Sequence, residues 1–166
     1  MVEKKLIVDE LRLSYSGLFE VEEFYKFVDD WIMEHGMERE IKIKHEELAP
    51  EGKSIKWEIE IWKNRVEWQR QVIRLRALMS DVQEIIIEKG EGKKRLNQGK
   101  VLLIFDTFLE SELGGRWQNK PWFYFSRAVF DRFVWKIWTN KYEDLAIKET
   151  NELHAAIKSH FNAYAY

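Results

Sequence analysis

The sequence predicts an α+β domain. It combines a curved, mostly antiparallel sheet of about five to six strands, an N-terminal helix, and a long C-terminal helix or helix pair. Three observations carry this reading. Apolar and polar residues alternate in short runs between residues 10 and 109. The spacing turns helical over residues 19–35 and again beyond residue 121. Finally, Pro121–Trp138, PWFYFSRAVFDRFVWKIW, carries Trp122, Phe123, Tyr124, Phe125, Phe130, Phe133, Trp135 and Trp138. At helical spacing these rings point almost all round the axis, so the segment needs cover on more than one side.

The first strand is expected over residues 10–16, where Leu11, Leu13 and Tyr15 alternate with Glu10, Arg12 and Ser14, and Gly17 ends it. Residues 19–35 follow as a helix. Phe24, Phe27, Val28, Trp31 and Ile32 repeat at three and four, Glu20, Glu22 and Glu23 suit the positive end of the dipole, and Gly36 is the stop. Ile41 and Ile43 mark the next strand, Pro50-Glu51-Gly52 a turn, and Trp57, Ile59 and Ile61 a further strand ending at a reversal over Lys63-Asn64-Arg65.

Residues 66–79 change parity. Val66 and Trp68 are even-numbered, whereas Ile73, Leu75, Ala77 and Met79 are odd. A period of two cannot place both sets on one face, so a bulge or bend is expected near Arg70–Val72. Val82–Glu88 reads as another strand, Gly90 to Gly99 as a long polar reversal, and Val101–Leu109 as a strand covered on both faces. Gly114-Gly115 breaks the chain, and Pro121 opens the aromatic helix. Asn140 with Glu143 resembles a capping box, so a second helix is expected from there, with Leu145 or Ala146, Thr150, Leu153, Ile157 and Phe161 as its apolar stripe.

Composition narrows the classes. The chain has 166 residues, 45% of them hydrophobic and 34% charged, which fits one soluble α+β domain over residues 1–166. Cysteine is absent, excluding disulfides, thiolate metal sites and cysteine nucleophiles. No run is long enough for a signal peptide or a membrane span, so a cytoplasmic location is expected. The net charge of −2 hides a gradient: residues 1–60 carry −7 and residues 61–100 carry +5. The basic middle allows a local anionic contact, while the acidic first third argues against broad coating of nucleic acid.

The order strand, helix, five strands, long C-terminal helix resembles the helix-grip fold of the START and Bet v 1 type, in which a curved sheet wraps a long helix. The resemblance lies in element order alone and implies no function. A second resemblance lies in residues. Gly17-Leu18-Phe19, Phe24-Tyr25, Trp31, Gly52-Lys53, Trp57, Leu96 with Gly99, Arg116-Trp117, Phe125, Asp131, and His154 with Ile157-Lys158 are similar to a set of small archaeal proteins of unknown function. That set implies an archaeal-type cytoplasmic protein and brings no activity with it.

Catalytic signatures are sparse. His154 and His160 are six residues apart and fall on different faces of a helix, and His45-Glu46-Glu47 lacks the second histidine of a zinc motif. No serine lies in a nucleophile elbow, and Gly90-Glu91-Gly92 is a charged turn rather than a phosphate cradle. No catalytic residue, metal or cofactor is assigned. Asp106 shares a face with Leu102, Ile104 and Phe108, so it needs a partner, which Arg127 or Arg132 would supply.

The expected function is non-enzymatic binding of an apolar or amphipathic small molecule between the sheet and the C-terminal helix. Trp122, Phe125, Phe133 and Trp135 would form apolar walls, and Asp106 and Arg132 polar anchors. Plain core is the bland alternative for the same rings. A self-associating interaction module built on residues 121–138, and so a homodimer, is the next. A third class is single-stranded nucleic-acid binding through Arg70, Arg74 and Arg76 with Lys93, Lys94 and Arg95. Its counterpart is a solvated face paired with Glu58 and Glu60.

Overall fold

Five strands and two helices account for the residues that the structure, a computed structural model, describes: 2–66, 68–90, 92–112 and 135–165. They are β1 (Val2–Phe19), α1 (Val21–Glu34), β2 (Glu38–Ala49), β3 (Gly52–Val66), β4 (Gln69–Lys89), β5 (Gly92–Glu112) and α2 (Trp135–Asn162), with a short 3-10 turn at Ala163–Ala165. The sheet is open and antiparallel throughout, in the order β1-β5-β4-β3-β2. Both helices pack on one face, called here the core face.

Alternation builds that face. Ile73, Leu75, Ala77 and Met79 of β4 lie in register with Ile61, Ile59, Trp57 and Ile55 of β3. On the other side they meet Thr107, Phe105, Leu103 and Val101 of β5. All are buried. Against them α2 lays Ala146, Thr150, Leu153, Ile157 and Phe161, the stripe its spacing predicts. Phe161 joins three elements: its ring stacks on Tyr15 at 4.8 Å and on Phe24 at 5.3 Å, and meets Phe19 edge-on at 6.1 Å. Burying such side chains removes about 1.5–3 kcal/mol each from water.

Helix α1 is stopped by a Schellman closure. Gly36 has φ 64°, the Gly36 N–H donates to the Met33 carbonyl at 3.1 Å, and the Met37 N–H to the Ile32 carbonyl at 3.0 Å. At its start, Glu20 makes no side-chain cap. The Val21 N–H instead donates to Asn97 Oδ1 of β5 at 3.2 Å, so a residue far along the chain supplies the cap.

Several boundaries differ from the sequence reading. β1 runs from Val2 to Phe19, with register shifts between Leu6 and Val8 and between Val8 and Leu11. β3 continues through Lys63-Asn64-Arg65 to Val66, and the chain reverses between Val66 and Gln69. Val66 and Trp68 therefore precede β4, and their parity places no demand on it. The β4–β5 register shifts between Ser80 and Gln83, which joins the two predicted strands 66–79 and 82–88 into one; beside the expected position, the β3–β4 register shifts between the pairs Asn64–Arg70 and Val66–Gln69, with the extra residue, Arg65, on β3. The polar stretch 92–99 is ladder rather than loop: the turn is at Gly90, and Lys93, Lys94 and Arg95 pair with Glu88, Ile87 and Ile86. Helix α2 passes through Asn140 without a break, so the capping-box pattern there does not start a helix. Residues 113–134, most of the aromatic segment, lie outside the described residues.

Candidate functional site

The outer face of the sheet holds the arginines that alternation places together. Each meets a carboxylate. Arg70 pairs with Glu110 at 2.5 Å, Arg74 with Glu60 at 3.3 Å, and Arg76 with Asp106 at 2.7 Å. Their flat groups also lie over rings: Arg74 over Phe108 at 5.4 Å and Arg70 over Trp62 at 5.5 Å. Their cationic charge is thus matched within the face, so a phosphate there would compete with carboxylates already in place.

Asp106 owes its buried position to β1. Its Oδ1 accepts the backbone N–H of Glu10 at 2.8 Å, where Glu10 sits at φ 49° in the bulged part of the strand. Its Oδ2 accepts from Arg76. The carboxylate therefore holds a bulge and an ion pair, with Arg76 as the described partner. Arg127 and Arg132 lie outside the described residues, as do Trp122, Phe125 and Phe133, and of Trp135 only the helical backbone is described.

The core face contains a polar group of residues that the sequence reading passed over. At the end of the sheet nearest the first turns of α2, β4 places Gln69 and Gln71 on the same parity as Ile73 and Leu75. Both amides are buried, at 3% and 1% exposure. Gln71 Oε1 accepts from Arg65 Nε at 3.0 Å and Nη2 at 2.7 Å, and Gln71 Nε2 donates to Glu149 at 2.8 Å. Arg65 Nη2 reaches Glu149 at 2.5 Å. These three side chains close a neutral triangle between β3, β4 and α2. Gln69 lies outside it, beside Ser111 in the ladder, and its Oε1 finds no hydrogen-bond partner among the described residues. A buried acceptor left unmet costs about 1–3 kcal/mol, so its retention calls for a reason. In the ladders Leu109 is the partner of Gln71 and Val66 that of Gln69; Leu109 forms an apolar cluster with Tyr142 and Ala146, against which Ile7, Val66 and Leu145 pack. The signal was in the sequence: two glutamines stand at core parity directly before an apolar run.

Two further places hold polar groups. An open cleft of about 260 Å³ lies at the N-terminal end of α1, floored by Ile55, Val82 and Leu96. Its charged rim is paired, Lys53 with Glu46 at 2.7 Å and Arg95 with Glu84 at 3.6 Å. At the opposite end of α2, His160 stacks on Phe27 at 4.5 Å, and Tyr164 donates to Glu23. Burial lowers the His160 pKa, with Glu23 opposing it; the Tyr164 hydrogen bond lowers that of Glu23. Burial pushes the Tyr25 phenol up to about 12.

Among the described residues no group of histidines and carboxylates is arranged to hold a metal ion, and no helix is long and apolar enough to cross a membrane. No known family model matches the chain, and no curated protein matches it.

Proposed function

We propose that this chain is a non-enzymatic binding protein for an amphipathic small molecule, held between the core face of the sheet and the N-terminal half of α2. The observation that carries this is the Gln69 amide, which keeps an unmet acceptor in a buried setting beside an apolar cluster. A protein selected for stability alone gains by an apolar residue there. A binding protein instead holds the amide in place ahead of its ligand.

The element order and the antiparallel ladder with its register shifts support a helix-grip-like arrangement, in which ligands lie between sheet and helix. The Gln69 amide is closed off from solvent, so a ligand reaches it through an opened minor state.

The test is a titration with the neutral dye Nile red. Saturable binding with a blue shift is expected, weakened by Gln69→Leu. Absence of saturable binding at any protein concentration below aggregation removes the reading.

A further inference from the structure

We propose that His160 and Glu23 form a proton-operated clasp at the C-terminal end of α2: on gaining a proton, His160 leaves the face of Phe27 and takes Glu23 as its partner, and Tyr164 with the turn around it comes away from α1. The clasp is independent of the ligand reading above. Three contacts hold its closed state. The His160 ring stacks on Phe27 of α1 at 4.5 Å, with 22° between the planes. Tyr164, in the 3-10 turn that follows α2, meets that ring edge-on at 5.7 Å. Its hydroxyl donates to Glu23 of α1.

This closed state suits a neutral imidazole. Burial lowers the His160 pKa from 6.5, and a ring held against Phe27 and Tyr164 has little water to solvate a charge. Among the described residues, charged and titratable groups reach this place from every element packed there. Glu23 and Glu20 come from α1 and the residue before it, Tyr15 from β1, Lys94 from β5 and Tyr164 from the turn. Burial raises the pKa of both tyrosines, so they stay neutral. Lys94 is a cation and repels an imidazolium. Glu23 is the anion that acts on His160. The dipole at the last turn of α2 favours a cation at position 160 in either state of the clasp, so it does not decide between them.

Glu23 therefore has two claimants. With His160 neutral, Tyr164 holds it, and that hydrogen bond lowers the Glu23 pKa from 4.5, so the carboxylate is charged throughout the range in which His160 titrates. The phenol brings a donor only, whereas an imidazolium brings a donor and a full opposite charge. The exchange also takes the ring out of its desolvated stack. Released His160 binds a proton more readily than stacked His160, so the clasp is closed at neutral pH and opens as pH falls below about 6.5. The opening is confined to the end of the chain. Phe161 stays in the core, held by Tyr15 at 4.8 Å and Phe24 at 5.3 Å, and keeps α2 on the sheet while the turn moves.

The experiment is an NMR titration from neutral pH to about pH 5 that follows the His160 ring and the cross-peak between the Tyr164 ring and the Glu23 side chain. His160→Phe identifies the His160 signal, and His160→Gln does so should the phenylalanine variant fail to fold. The cross-peak is expected to vanish as the His160 ring titrates, with one midpoint below 6.5. In His160→Phe it should persist over the same range. Tyr164→Phe, a change at an exposed hydrogen bond, frees Glu23 and should raise the His160 midpoint by about 0.5 pH unit or more, while Glu23→Gln should lower it. A cross-peak that persists while His160 titrates overturns the clasp. So does a His160 midpoint that Tyr164→Phe leaves unchanged.

Discussion

Thr107 and Thr150 meet across the interface of β5 and α2 with their hydroxyl oxygens 2.6 Å apart, and neither has any surface left in water. Thr150 also donates to the Ala146 carbonyl at 2.7 Å. Its single hydroxyl hydrogen is used there, so Thr107 is the donor of the shared bond. Thr150→Val is then expected to cost about 1–2 kcal/mol, because it strands the Thr107 hydroxyl, and Thr107→Val is expected to cost less. In the double variant no donor is stranded, so urea denaturation should find it more stable than the sum of the singles by about 1 kcal/mol. Simple additivity would show that the pair is not coupled.

Asp106 holds both the Glu10 N–H and Arg76, and its side chain is largely out of solvent. Asp106→Ala leaves a backbone donor and a guanidinium unmatched together. A loss of about 2–3 kcal/mol is expected, while Asp106→Asn should lose less because its amide oxygen still accepts from Glu10. Equal losses for the two variants would place the value of Asp106 in its charge alone.

Asn97 caps α1 from another strand. Asn97→Ala is expected to cost about 1 kcal/mol and to speed hydrogen exchange at the first turn of α1. Glu20→Ala, at a position that makes no side-chain cap, should leave that exchange unchanged.

The β4 bulge places Asp81 at φ 54° between two glycines. A Cβ on Gly99 would lie 3.0 Å from the Ser80 carbonyl oxygen and 3.0 Å from Val82 Cα, and one on Gly52 only 2.9 Å from the Asp81 carbonyl carbon. Gly99→Ala and Gly52→Ala are expected to lower the melting temperature. Asp81→Gly should raise stability by about 0.5–1 kcal/mol by relieving the left-handed conformation, provided its exposed pairing with Lys100 is as weak as exposure suggests.

His160 sets an acid limit. Its pKa is lowered by burial from 6.5, so the unfolded chain takes up the proton more readily than the folded one. Its neutral form therefore supports the fold fully above about pH 6.5, and that support falls as pH drops through the lower folded value. Glu23 has the usual carboxylate behaviour: its pKa is lowered from 4.5, so its contribution is lost in a more acidic window. His160→Phe keeps a ring on Phe27 and should flatten the decline between neutral pH and about pH 5 while leaving the steeper acid limb. An unchanged pH profile would assign the decline to other groups.

Much of this fold was legible in alternation. Ile55 to Ile61, Ile73 to Met79 and Val101 to Leu109 have core parity, and Phe24, Val28, Trp31 and Ile32 form the α1 stripe. The boundaries were less so, because turn composition is a local signal that pairing overrides. Lys63-Asn64-Arg65 has turn residues, yet Arg65 is drawn into β3 by Gln71 and Glu149. Lys93-Lys94-Arg95 has loop composition, yet its backbone completes the ladder with Ile86 to Glu88. Asn140 looks like a cap, yet helix α2 runs on through it.

By itself, the sequence determined the class: strands where the period is two, helices where it is near four, and no cysteine chemistry at all. It also placed Arg70, Arg74 and Arg76 on one face, since parity depends on nothing else. Only the tertiary structure decided what those groups meet. Asp106 turned to a β1 bulge and Arg76, Asn97 became a helix cap at a distance of 76 residues along the chain, and Gln69 Oε1 was buried with no hydrogen-bond partner among the described residues. The reason is that a side chain's face is fixed by its own strand. Its partner is fixed by the register and crossing of elements far away in sequence, and no local pattern encodes those.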